Sequence, residues 1–253
     1  MQKGFEMLQI GWKYFPFHEV PLNLPYCDSK LSGLRILQLS DLHLTPKVPV
    51  SYLHELVKKI NQKNVDLVVF TGDILQTSAK KITQQLSVFG KIEAPSYYVS
   101  GNHDIVYGTK ELQRILEKNN IQCLDNKIET INLKETTVQL VGLSDRYSFI
   151  KGVRRDSKKL FSLLEKDKFT LLLAHQPKDI KLTRDYSIDL QLSGHTHGGQ
   201  VFPLNLIVKI FQPYFLGHYE FESTQLYVTS GLGYWGVGIR YKVGSEIPIF
   251  TIK

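Results

Sequence analysis

The chain has 253 residues, 42% of them hydrophobic and 22% charged, and a formal net charge of +7. That composition excludes a disordered or low-complexity chain and is enough to build the core of one large α/β domain spanning 1–253. The positive excess favours anionic partners without choosing among phosphorylated substrates, anionic lipid headgroups and nucleic acid.

In chain order, Met1 to Tyr14 interrupts its apolar residues with Lys3, Glu6 and Lys13, which leaves no signal-peptide core. Residues 1–33, with Pro16, Pro21 and Pro25, read as an irregular lead-in to a core over about 34–253. Arg35–Ser40 is a short apolar run, the pattern of a strand covered on both faces. Ser51 then stands where it can cap a helix carrying Leu53, Leu56, Val57 and Ile60 at helical spacing. Asp66–Thr71 and Tyr97–Ser100 read as further strands, and Thr109 opens a helix with Leu112, Ile115 and Leu116. Val138–Leu143, Phe169–Ala174 and Asp189–Ser193 are strands again, with a helix carrying Leu160, Leu163 and Leu164 after Asp156. This alternation predicts an α/β fold with at least one largely parallel sheet. In the final third, Leu226–Thr229 and Pro248–Ile252 read as strands linked by glycines, which suggests a second sheet packed on the first. No charge-free apolar run reaches about twenty residues, so no membrane-spanning helix is expected. Cys27 and Cys123 have no metal-ligand spacing and read as reduced thiols of a cytoplasmic protein.

Each strand in the first two thirds is followed by polar residues of one chemical kind. Asp41-Leu42-His43, Gly72-Asp73, Gly101-Asn102-His103-Asp104, Ala174-His175 and Gly194-His195-Thr196-His197-Gly198-Gly199 all begin where an apolar run ends. Carboxylates, imidazoles and one amide at five strand ends are the donors a two-metal phosphoester hydrolase needs. The glycines read as tight turns that aim the next side chain. A lone Asp-x-His or Gly-Asp is ordinary turn chemistry, whereas five such blocks in order are specific. His18, His54 and His218 belong to no block and read as structural residues.

These five blocks resemble the calcineurin-like metallophosphoesterase superfamily, whose pattern is D-x-H, G-D, G-N-H-D/E, H and G-H-x-H. The resemblance implies a four-layer αββα sandwich, two mixed sheets flanked by helices. It implies that Asp41, His43 and His197 hold one metal, that Asn102, His175 and His195 hold a second, and that Asp73 bridges them. His103 is then expected to face the substrate, stabilising phosphorane charge or protonating the leaving oxygen, with Asp104 orienting it. The mixed donor set suits manganese first, and iron or zinc next, better than calcium. The implied reaction is in-line attack of a metal-bridging hydroxide on a phosphodiester or diphosphate.

A finer likeness lies in Gly194–Gln200, Gly231-Leu232-Gly233, Arg240 and Glu246-Ile247, which look like the YaeI/YkuE branch. That branch includes LpxG-type enzymes of lipid A biosynthesis, and the likeness implies an acylated substrate such as UDP-2,3-diacylglucosamine. The alternative is a soluble phosphatase or phosphodiesterase for nucleotides, nucleic acid or phosphoproteins, and the third reading is a non-catalytic metal-binding scaffold. No specific nucleic-acid binding is expected, and the oligomeric state stays open. Val201–Leu216 carries one charge, Lys209. It reads either as a segment buried on the second sheet or as an apolar lip of Leu204, Leu206, Ile207, Ile210 and Phe211. Such a lip would meet an acyl chain or the inner-membrane surface. The basic run Lys151, Arg154, Arg155, Lys158 and Lys159 reads as a solvated helix start or as a clamp for a diphosphate or anionic lipid.

Overall fold

The structure, a computed structural model, describes residues 8–10, 12, 14–24 and 29–253. It opens with β1 (Leu8–Ile10) and β2 (Phe17–Leu22). Next come β3 (Arg35–Leu39), α1 (Val50–Asn61), β4 (Leu67–Phe70), α2 (Thr83–Val88), β5 (Ser96–Tyr98), α3 (Asn102–Tyr107), α4 (Thr109–Lys118) and β6 (Ile121–Cys123). The pair β7 (Lys127–Leu133) and β8 (Thr136–Leu143) leads to α5 (Ser157–Phe161), β9 (Phe169–Ala174) and β10 (Leu190–Ser193). The chain closes with α6 (Leu204–Phe211), β11 (Gly217–Phe221), β12 (Thr224–Val228), β13 (Ile239–Tyr241) and β14 (Ile247–Ile252).

Two six-stranded mixed sheets result, in the orders β2-β14-β3-β4-β5-β6 and β11-β12-β10-β9-β8-β7. In the first, β3 to β6 run parallel while β14 runs antiparallel to β3. In the second, β8, β9, β10 and β12 run parallel, with antiparallel β7 and β11 at the edges. The two-residue period of a pleated strand sorts the apolar residues. Ile36, Leu67 and Val69 point between the sheets, against Val138, Leu140, Leu171 and Leu192. Their neighbours Leu37, Leu39, Val68 and Phe70 point outward, onto Leu53, Leu56 and Ile60 of α1 and Leu112 of α4. On the far side, Val141, Leu143 and Leu172 are covered by Phe161 and Ile188. The layers are therefore helix, sheet, sheet, helix, and both interior faces explain why the strands read as continuous apolar runs.

The structure corrects four readings of the sequence. Residues 17–22 are not irregular: β2 pairs in parallel with β14, and Pro21 is tolerated because β2 is an edge strand. The second sheet is not the product of the final third alone. It takes β8, β9 and β10 from the middle of the chain, whereas β14 inserts between β2 and β3 of the first sheet. Strands buried on both faces carry no amphipathic mark of which sheet they join. The helix after Asp156 is short: Asp156 does cap it, accepting from Lys159 N at 3.1 Å, but it ends at Phe161 and leaves Leu163 exposed. In α1, Pro49 rather than Ser51 holds the cap position.

Among the described residues, no helix is long and apolar enough to cross a membrane. Cys123 is a buried free thiol, and Cys27 lies outside the described residues.

Candidate metal centre

All five blocks leave the carboxyl ends of strands, but of two different sheets. Asp41 and His43 follow β3, Asp73 follows β4, and Asn102 and His103 open α3 after β5. His175 follows β9, while His195 and His197 follow β10. The seven candidate ligands thus meet where the two sheets present their carboxyl ends side by side. Asp41, His43 and His197 offer ligand atoms within 4.8 Å of one another, and so do Asp73, His175 and His195. Asp41 Oδ1 lies 3.3 Å from His197 Nε2, and His43 Nε2 faces His197 Nε2 at 2.9 Å. On the other side Asp73 Oδ2 lies 3.3 Å from His175 Nε2, and His195 Nδ1 lies 2.9 Å from Asn102 Oδ1. Asp73 Oδ2 is also 3.7 Å from His43 Nε2, which places one carboxylate between the two groups.

The backbone is shaped for this convergence. Asp41, His43, Asp73, His195 and His197 all have positive φ, between 44° and 72°. Such left-handed conformations cost on the order of 1–3 kcal/mol each in non-glycine residues and persist only where the surroundings enforce them. The turn reading holds for Gly72, Gly198 and Gly199, which have positive φ, and not for the other two glycines, Gly101 and Gly194. At those two positions a Cβ would collide with the Asp73 and Asp41 carboxylates, so the requirement is close approach rather than conformational freedom.

Outer hydrogen bonds turn two of the rings inward. His43 Nδ1 donates to Gln76 Oε1 at 2.7 Å, and His175 Nδ1 donates to the Thr71 carbonyl at 2.7 Å. The Nε2 lone pairs are left facing the cluster, as metal-bound histidines require. Asp41 accepts from Ser40 Oγ at 2.6 Å and from His195 N, while Asp73 Oδ1 accepts from His103 N at 2.8 Å. None of Gln76, Ser40 or the Thr71 carbonyl was singled out from sequence, because single outer partners carry no spacing.

A cation fits this arrangement on its own terms. His175 Nε2 is buried with the Asp73 carboxylate 3.3 Å away, and two imidazole nitrogens 2.9 Å apart repel unless a proton or cation lies between them. Burial holds His43 down to about 4 and His195 to about 3, and holds His197 well below its usual range, so these rings keep free lone pairs. Burial opposes charge on His175 too, but Asp73, Asp41 and Asp145 outweigh it and push that ring above its usual range. His175, with His43 and His103, holds Asp73 well below the carboxylate range against its burial, while burial raises Asp41 to about 6. A divalent ion held by these residues would take the place of a proton on His175, since metal ligands bind deprotonated.

His103 is half-buried, its ring packed edge-on against His43 with centroids 4.6 Å apart, and it lines the pocket over the cluster. Its ring nitrogen also comes within 4.8 Å of the His43 and Asp73 ligand atoms. Asp104 does not orient it. Both Asp104 oxygens are taken: Oδ1 accepts from Leu75 N at 2.8 Å, and Oδ2 from Tyr98 Oη at 2.9 Å and Gly101 N at 3.0 Å. Facing away from its sequence neighbour, Asp104 instead pins the Asp73 loop to the start of α3. Three donors without an acceptor cost about 1–3 kcal/mol each when buried. Asp104→Ala should therefore lower unfolding stability by about 3 kcal/mol or more, read by urea unfolding of the EDTA-treated protein.

A pocket of about 510 Å³ opens onto the cluster. Its floor is Asp73, Asn102, His103, His195 and His197; its walls are Val201, Val208, Trp235 and Val237. Of the expected apolar lip, Leu206 and Ile210 are exposed, 53% and 78%, whereas the side chains of Leu204, Ile207 and Phe211 lie outside the described residues. The basic run is divided. Arg155 and Arg146 both bind buried Asp179, at 2.7 and 2.8 Å, while Lys151, Arg154, Lys158 and Lys159 face solvent. His218 meets Gln225, His18 meets Glu246, and His54 is exposed, so none of the three joins the site.

The profile of calcineurin-like phosphoesterases matches residues 34–199. An uncharacterized metallophosphoesterase of Helicobacter pylori is 33% identical over all of this chain and 70% of its own length. The uncharacterized metallophosphoesterase YkuE of Bacillus subtilis is 33% identical over 87% of this chain and 79% of its own. A transmembrane protein with a metallophosphoesterase domain from Danio rerio is 34% identical over 93% of this chain but only 56% of its own. Among solved structures, a dimetal phosphatase of Danio rerio aligns with a TM-score of 0.53 at 11% identity, covering 79% of this chain and 88% of that one.

Proposed function

The chain belongs to the calcineurin-like phosphoesterase family and is a metal-dependent phosphoester hydrolase with a dinuclear divalent site, and from that premise we propose its finer chemistry. Asp41, His43 and His197 hold one ion, Asn102, His175 and His195 the other, and Asp73 is shared. Manganese is the ion of first choice for this mixture of imidazole, carboxylate and amide. When bound, the pair neutralises phosphate charge and activates water for in-line attack. His103, free of Asp104 and set in the pocket wall, stabilises charge on the phosphoryl group or hands a proton to the leaving oxygen.

The substrate reading is an amphiphilic phosphodiester or diphosphate, of which UDP-2,3-diacylglucosamine is the leading example, met at the cytoplasmic surface of a membrane. One observation carries it: beside the polar Thr196, Gln200 and Gln212, the pocket over the metals is walled by the apolar Val201, Val208, Trp235 and Val237. Apolar walls reward an acyl or aromatic group and do little for a nucleotide. With manganese present, UDP-diacylglucosamine should outrun nucleotide diesters and phosphopeptides. Trp235→Ala should lower kcat/KM for acylated esters by about 10- to 100-fold and leave short-chain esters near the parent value. Faster turnover of nucleotides by the parent, with no chain-length effect of Trp235→Ala, would overturn the amphiphilic reading and leave the reaction class intact.

A further inference from the structure

Arg240 is the largest fully buried side chain described, and among the described residues Asp41 and Glu246 act on its guanidinium through space rather than by a hydrogen bond. Six backbone contacts surround it instead. Nε donates to Gly233 O at 3.1 Å; Nη2 donates to Gly233 O at 2.7 Å, Ser230 O at 2.8 Å and Gly231 O at 3.2 Å. Nη1 reaches the carbonyls of His197 and Gly244, each at 3.4 Å. The one side chain it touches by hydrogen bonding is His197, whose Nδ1 lies 3.3 Å from Nη2.

A buried cation is costly unless every donor is used, so a structure that pays for one normally gains a defined geometry from it. Here the geometry concerns one half of the metal centre. The carbonyls of 230–233 belong to a loop packed on Asp41: Leu232 N donates to Ser40 O at 3.1 Å and Gly233 N to Asp41 O at 2.8 Å. At Gly231 a Cβ would lie 2.6 Å from Asp41 Cβ, so this loop sits directly against the ligand's own carbon. Through the loop Arg240 braces Asp41, and through Nη1 it holds the backbone carbonyl of His197, whose side chain it also packs against. Among the described residues it has no hydrogen bond to Asp73, Asn102, His175 or His195.

We propose that Arg240 is a positioning residue for one metal only: it assembles the Asp41–His43–His197 site and leaves the Asn102–His175–His195 site to form without it. This rests on the two-ion reading above and goes beyond it by making the sites separable. A lysine keeps the charge but cannot span the carbonyls of 230–233 and His197 together, because it lacks the planar fork.

The test is manganese titration of purified parent and Arg240→Lys by calorimetry, with electron paramagnetic resonance of the bound ions. The parent should bind two ions that show the coupled spectrum of a dinuclear pair. Arg240→Lys should bind the first ion with parental affinity, bind the second about 10- to 100-fold more weakly, and show an isolated-ion spectrum at one equivalent and below. His197→Ala should give the same one-ion state, and the double variant should lose no more than either alone. Arg240→Gln, which retains two amide hydrogens for the Ser230 and Gly233 carbonyls, replaces the lysine variant should that one not fold. Two ions bound at parental affinity, equal weakening of both, or failure of both metal-free variants to fold would each overturn the proposal. A parent that binds fewer than two ions would instead overturn the two-ion reading itself.

Discussion

Asp73→Asn should leave the protein folded, bind at most one manganese ion, and lower kcat/KM by about 10³-fold or more. The amide keeps an oxygen for His103 N, so the loop retains its 2.8 Å bond. What disappears is the anionic Oδ2 that lies 3.3 Å from His175 Nε2 and 3.7 Å from His43 Nε2. Among the described residues, no other carboxylate reaches both ligand groups. A pair of ions that shares no anion repels itself, and the several kcal/mol of charge stabilisation it supplies to the phosphoryl group is lost, at about 1.4 kcal/mol per tenfold in rate. Metal content and steady-state rates measured on the same preparation decide the matter. Two tightly bound ions in Asp73→Asn would remove Asp73 from the shared position.

The same substitution should change stability against pH in metal-free protein. Asp73 has its carboxyl depressed in the fold, so its contribution is present above its ordinary value of 3.8 and fades as pH falls below it. His175 is raised, so its contribution is present below 6.5 and fades as pH rises through its higher folded value. The pair therefore stabilises the metal-free parent most between these two limits. Asp73→Asn should flatten that maximum, a difference visible in thermal unfolding across pH 3 to 9 with EDTA present.

The centre was legible because its chemistry is confined to strand ends, where five blocks carry donors of one kind in sequence order. Their convergence is realised by two sheets: β3, β4 and β5 supply four of the seven donors, and β9 and β10 supply the other three. Doubly buried strands such as β14 have no polar face, so nothing in their pattern tells which sheet they enter or that residues 17–22 await them. Asp104 shows a different limit. Adjacency to His103 suggested a partner, yet the first turn of a helix sends successive side chains about 100° apart, and Asp104 points into Leu75, Tyr98 and Gly101. Gln76 and Arg240 are isolated in sequence from the rings they orient, and only the fold brings them there. Arg240 did stand out in the branch likeness, but as a mark of kinship rather than as a contact of His197.

His103→Ala should keep both ions and lose about 10² to 10⁴ in kcat, the range expected when a positioned proton donor or charge stabiliser is removed. Its backbone N–H, which is what Asp73 uses, survives the substitution. Its imidazole, half-buried in the pocket and held by ring packing on His43 rather than by a carboxylate, is what goes. The two chemical roles separate by leaving group. A proton donor matters most for an alkoxide of high pKa and little for p-nitrophenolate, which departs unaided. A charge stabiliser matters equally for both, since it acts on the phosphoryl oxygens. Because the ring is not locked by Asp104, we expect the leaving-group dependence: a loss near 10⁴ for alkyl diesters that shrinks toward 10 for the nitrophenyl ester. Metal content must be measured alongside, since the His103 ring also stands within reach of His43 and Asp73. Loss of an ion in His103→Ala would make it a ligand, and parental turnover of alkyl diesters would strip it of any role in the chemistry.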